Sequence, residues 1–187
     1  MKQRERILLY ILLGVFIIVV AFFIGIKEKN RIFGERNVFI YLLDYEEKES
    51  VYMVPVRREI PRTNDIEQKI RFAIEYLLKG PEETEKGAGL NTAMPEGATL
   101  INVKVEGDTV FLDFSKEIEQ GGGTTLMMDR LAQIVYTATQ FYPVSKVRLL
   151  INGEFIKYFS GEGITDVENP MGRDNFNNYI VKPSTGG

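Results

Sequence analysis

The chain contains no cysteine and no histidine, and each absence closes off a class of chemistry. Without cysteine there are no disulfides, no thiolate nucleophile and no lipid attached through an N-terminal cysteine. Without histidine, Ser-His-Asp and Cys-His arrangements are excluded, as are the usual zinc sites that draw on His and Cys. Basic charge is also thin. Lys2, Arg4 and Arg6 against Glu5 put +2 on the first six residues, so the rest carries −5 of the total −3. An acidic domain with no clustered basic stripe is a poor match for nucleic acid, whose binding requires phosphate neutralisation.

What remains is 187 residues, enough for one ordinary domain with a proper core and too few for two. Residues 7–26, ILLYILLGVFIIVVAFFIGI, hold no charge and are about as long as a helix needs to cross a bilayer core, roughly 20 residues. A signal peptide wants a shorter apolar region and small residues before its cut, whereas this run ends Ala-Phe-Phe-Ile-Gly-Ile. The run is therefore expected to be a retained transmembrane helix that contacts the lipid bilayer. Basic residues flank it on both sides, so charge bias does not orient it. With six residues before the run and the bulk after it, the economical reading is a single-pass protein of the cell membrane with its domain outside the cytoplasm. Residues 27–36, KEKNRIFGER, read as a charged linker.

From there the pattern alternates between strands and helices. Residues 37–44, NVFIYLLD, read as a strand buried on both faces. Residues 50–60 return as a second strand, and Pro55 inside it points to an edge or a bulge. A helix follows, with Asn64 as its cap, Glu67 completing a capping box, and Ile66, Ile70, Ala73, Ile74, Leu77 and Leu78 along one face. Gly80 and Pro81 stop it. Residues 81–95 form a loop whose Pro-Glu-Glu-Thr-Glu start suits one short helical turn. Residues 99–105 and 109–114 make a hairpin about Glu106-Gly107-Asp108, with Val110, Leu112 and Phe114 on one side. The glycines 121–123 release the chain into a second helix, capped by Thr124 or Thr125 and running to about Phe141, with Leu131, Ile134, Val135 and Ala138 inward. Tyr142-Pro143 ends it. Residues 146–151 and 154–159 form a last hairpin about Asn152-Gly153. The order is ββα-ββα-ββ: an α+β two-layer sandwich with two helices on one side of an antiparallel or mixed sheet. The domain is expected over 37–159, with 160–187 a strap across it or a partly disordered tail.

Several segments in this order carry a family resemblance. They are VPVRREIP at 54–61, YLLKGP at 76–81, MPEGAT at 94–99, VFLDFSK at 110–116, QIVYT at 133–137 and VRLLING at 147–153. Together they resemble the GerMN domain family of sporulation and spore germination proteins. The resemblance implies a membrane-tethered extracytoplasmic α+β module, similar to the ring-building motifs of sporulation-channel proteins. It further implies assembly with envelope proteins or with itself, a link to peptidoglycan, and no established catalytic residues.

Read on their own chemistry, the polar residues nominate little. Asp113 and Glu117, with Ser115 between them, are the acids a carboxylate-dependent cell-wall hydrolase would use, but such an enzyme needs two carboxylates facing one cleft. Alternation turns Asp113 away from Leu112 and Phe114, toward solvent or the following turn, and Ser115 suits a cap. Glu82, Glu83 and Glu85 read as a solvated acidic loop, and residues 166–169 lack the glycine and terminal glutamate of a calcium loop. The triple glycine has no following Lys-Ser/Thr and is not a phosphate loop. Arg57 and Arg58 suit either a partner or the protection of an exposed edge. The expectation is a protein without catalytic residues, cofactor or metal, that binds protein partners at the envelope. A glycan-binding module and a hydrolase are the alternatives.

Overall fold

The computed structural model describes residues 15–16, 35–45, 51–159 and 166–183. The chain divides into two compact units, Met1–Glu35 and Arg36–Gly187. Of the first, residues 15–16 are helical. The rest of the expected bilayer span at 7–26 lies outside the described residues, and among the described residues no helix is long and apolar enough to cross a membrane.

The second unit is an α+β domain. In chain order it holds β1 (Glu35–Asp44), β2 (Tyr52–Thr63), α1 (Ile66–Lys79), α2 (Glu83–Gly87), β3 (Leu90–Asn91), β4 (Leu100–Glu106) and β5 (Thr109–Phe114). Then come α3 (Thr124–Ala138), β6 (Lys146–Ile151), β7 (Glu154–Phe155) and β8 (Ile180–Val181), with 3-10 turns at Lys116–Glu119, Asp166–Glu168 and Arg173–Phe176. The expected order of long elements is present, but the single sheet is not. The strands form two four-stranded sheets, in the orders β3-β1-β2-β8 and β4-β5-β6-β7. Both are mixed: β1–β3 is antiparallel and β2–β8 parallel, while β4–β5 and β6–β7 are antiparallel and β5–β6 parallel.

Proline explains why the sheets do not join through β2. Ile180 N–H donates to Val51 O and Lys182 N–H to Met53 O, so odd-numbered residues of β2 turn their peptide groups toward β8. Strand β8 covers only Tyr52 and Met53. Beyond it, Pro55 and Pro61 on the same side have no N–H to offer a neighbour. Helix α1 packs against both β2 and β4. Its buried residues are Ile70, Ala73, Ile74 and Leu77, the inner part of the stripe expected from spacing.

Two caps differ from expectation. The α1 cap is Asp65, not Asn64: its backbone is extended and its carboxylate accepts from the N–H groups of Glu67 and Gln68. Glu67 makes no capping box, because its carboxylate reaches sideways to accept Val105 N–H at 2.8 Å. Helix α3 is capped by Gly123, not by either threonine. It ends at Ala138 rather than near Phe141, and the Thr139 hydroxyl then donates to Val135 O. The hairpin β4–β5 turns at Gly107, with φ +62°, and pairs Val103 with Leu112 and Val105 with Val110. Strand β7 is two residues long rather than the six expected over 154–159, since Met171, not β7, bridges Val147 farther down β6.

Val110, Leu112 and Phe114 of β5 lie in the core with Val147 and Leu149 of β6, Ile40 and Leu42 of β1, and Ile134 and Val135 of α3. The C-terminal segment reaches the same core through Val167, Met171, Phe176 and Tyr179.

Candidate functional site

Of the two acids nominated from sequence, Asp113 borders a groove whose lining does not include Glu117. Asp113 is buried rather than solvated, and its carboxylate accepts the Gly153 N–H at 2.9 Å. The parallel pairing of β5 with β6 places Asp113 beside Leu150, which brings the β6–β7 turn within reach. Glu117 stands in the 3-10 turn Lys116–Glu119, after the end of β5. The Ser115 hydroxyl and then a backbone N–H hold the Glu117 carboxyl below the usual glutamate range. A general acid needs the opposite shift. Ser115 occupies the cap position but makes no side-chain cap bond. Its hydroxyl instead accepts Thr99 N–H at 3.1 Å, tying the ends of the hairpin strands together.

Glu82 and Glu83 of the acidic loop are solvated, as expected, but Glu85 is tied to Arg58. Arg58 is buried and holds Glu85 in a two-pronged grip, Nη1–Oε1 2.7 Å and Nη2–Oε2 2.6 Å. Glu85 also accepts Glu82 N–H at 2.7 Å, so the short helix α2 is capped and docked on β2 by one carboxylate. Burial alone would raise the Glu85 carboxyl, but Arg58 and the Glu82 N–H outweigh it and leave the group below its ordinary range. Glu83 pairs with Lys86 at 2.7 Å, and Glu168 of the tail motif with Lys157 at 3.6 Å. Arg57 remains exposed.

The largest concentration of buried polar chemistry was not nominated. Helix α3 is buried all round from Asp129 to Ala138, and its polar stripe serves the fold. Gln133 donates to Tyr41 O and accepts Ala93 N–H, both at 2.7 Å. Thr137 Oγ1 accepts Tyr41 N–H, and Gln140 both accepts from Phe39 N–H and donates to Phe39 O. These side chains complete the β1 edge where the two-residue β3 has ended. Arg130, 1% exposed, donates to the carbonyls of Ala93, Ile118 and Gln120, and burial pushes its guanidinium down to about 10. Asp129 accepts the hydroxyls of Tyr45 and Tyr179 at 2.8 and 2.7 Å. Burial first, then that carboxylate, raises both phenols above the ordinary tyrosine range. The spacing of Asp129, Gln133 and Thr137 at i, i+4 and i+8 was visible, but it reads equally as a solvated face.

The outer face of the β4–β7 sheet is concave. A groove of about 350 Å³ there is lined by Asn102, Lys104, Phe111, Asp113, Leu150 and Phe155 among others. Asp113 is thus the one nominated acid that borders it. The register sets Asp113 opposite Asn102, and the groove's other acid, Glu106, lies four residues along β4. That is roughly 13 Å of strand at about 3.3 Å per residue, outside the roughly 5–10 Å carboxyl spacing of glycosidases.

Known proteins place this architecture. The chain resembles the tandem GerMN domains of the sporulation protein GerM from Bacillus subtilis, with 23% identity and TM-score 0.59, over 74% of this chain and 46% of that one. Against the first GerMN domain alone the identity is 23% and the TM-score 0.58, over 74% and 98% of the two chains. A predicted lipoprotein from Clostridium perfringens is 18% identical with TM-score 0.53, over 76% and 90%. At such identities the likeness is one of fold. No curated protein matches the sequence. The Germane family, described as "Sporulation and spore germination", matches residues 39–157, more than half of the chain and nearly all of the two sheets, and on that match the protein belongs to the Germane, or GerMN-type, family.

Proposed function

We propose that the chain is a membrane-anchored, extracytoplasmic GerMN module that acts in sporulation or germination by binding envelope proteins or itself, without catalysis. The observation that carries this reading is the fate of the polar groups. Arg58, Arg130, Gln133 and Gln140 all bind the chain's own backbone or side chains, and Glu117 does not line the groove that Asp113 borders. The uncharged run at 7–26 supports the anchor. The family's sporulation description supports the setting.

Cross-linking of the full chain in native membranes tests the proposal. It should recover the chain joined to other envelope proteins or to copies of itself, and recovery as an isolated monomer alone would sink it. A hydrolase is separable in the same preparation: Asp113→Asn with Glu117→Gln should leave digestion of wall glycan unchanged from wild type.

A further inference from the structure

We propose that the outer face of the β4-β5-β6-β7 sheet binds a neutral saccharide, with Phe155 stacking on a sugar ring, Phe111 supporting Phe155 edge-on, and Asn102 and Asp113 holding the sugar's hydroxyls. This goes beyond an assembly role and does not depend on it.

Three observations converge on the groove. The first is an aromatic ring kept rigid in water. Phe155 is 61% exposed, yet Phe111 packs edge-on against it at 6.0 Å and the Arg148 guanidinium sits 5.1 Å from its centre. Arg148 is in turn fixed by the carbonyls of Leu149 and Val167. A ring already immobilised loses little entropy on binding, and its apolar face suits the C–H face of a pyranose.

The second is a fixed polar pair beside the rings. Asp113, 8% exposed, is held by Gly153 N–H, and Asn102 faces it across the ladder. A carboxylate that accepts and an amide that both donates and accepts match adjacent hydroxyl groups.

The third is charge and size. Lys104 and Glu106 pair with each other at 2.5 Å, which neutralises that rim and gives a strongly acidic or basic peptide little to recognise. The volume, about 350 Å³, falls at the small-molecule end of ligand sites, about 300–1,000 Å³. With its two acids so far apart, the groove holds a sugar and does not cleave it.

The test uses the full chain in nanodiscs and saturation-transfer NMR with two extended neutral probes, the β-1,4-linked tetramers of glucose and of N-acetylglucosamine. Saturation should pass to ring protons of at least one tetramer, with no new reducing ends over the experiment. Phe155→Ala and Asn102→Ala, each first checked for an unchanged melting profile, should weaken binding by about tenfold or more. A neutral tetrapeptide and an acidic one serve as competitors and should not displace the sugar. The proposal is overturned if neither tetramer shows transfer at about 10 mM, a concentration that would populate even a weak site. It is equally overturned if Phe155→Ala leaves binding intact, or if the peptides bind the groove and the sugars do not. Cross-linking of the Phe155→Ala chain separates the two proposals, since assembly can persist when sugar binding is gone.

Discussion

Glu85 shows how one side chain can carry a sequence feature that looks like loose surface charge. It is a base for Arg58, a cap for α2, and 15% exposed. Its folded carboxyl titrates below the ordinary glutamate value of 4.5, so the sign is that of a depressed acid. The stabilisation is fully present above about pH 4.5 and is lost as pH falls through the folded value. Glu85→Gln should therefore cost roughly 1–3 kcal/mol at pH 7, the range for a charge-assisted pair whose partner stays buried. The difference between variant and wild type should be smaller at about pH 3 than at pH 7, because the unfolded carboxyl is then protonated and the advantage of the depressed folded group is falling away. Urea unfolding at the two pH values reads it directly. An equal difference at both would mean that the grip of Arg58 on Glu85 contributes nothing through charge.

Helix α3 makes the corresponding point for an element. Its apolar stripe, Leu131, Ile134, Val135 and Ala138, was legible from spacing, as were the buried face of α1 and the β4–β5 hairpin. Each of those needs only one neighbour, and a periodic pattern reports one neighbour well. The opposite stripe of α3 meets the β1 edge, which is more than 90 residues away in sequence, and no local pattern encodes that meeting. The same limit governed Asp113: alternation gave its direction, but the turn that receives it arrives through the parallel pairing of β5 with β6. Gln133→Leu isolates the hidden stripe. Leucine is similar in size, so packing changes little, while Ala93 N–H and Tyr41 O each lose a partner. At about 1–3 kcal/mol per orphaned group, the variant should lose roughly 2–6 kcal/mol in denaturant unfolding. A cost within about 0.5 kcal/mol, typical of a surface change, would show that the polar stripe only decorates the helix.

At the scale of the molecule, the strand edges among the described residues are covered or blunted. The β2 edge carries prolines beyond Met53 and gives Glu59 O to the Tyr76 hydroxyl, α3 side chains close β1, and α1 packs along β4 with Glu67 on Val105 N–H. Association by strand addition is thereby disfavoured, which leaves side-chain surfaces for partners. The C-terminal segment is part of this closure. It lays β8 along β2, wedges Arg173 near the rings of Tyr41 and Tyr136 at 5.5 and 4.9 Å, and buries Val167, Met171, Phe176 and Tyr179. Four buried apolar side chains at about 1.5–3 kcal/mol each amount to roughly 6–12 kcal/mol, comparable with the whole stability of a domain, about 5–15 kcal/mol. A chain ending at Thr165 should therefore fail to melt cooperatively and be digested rapidly by protease. Tyr179→Phe removes one hydrogen bond and leaves Asp129 with the Tyr45 hydroxyl, so it should lose only about 1 kcal/mol and melt as one transition. If the truncated chain melted sharply near the wild-type temperature, the segment would be a covering laid over a finished fold and not a component of its core.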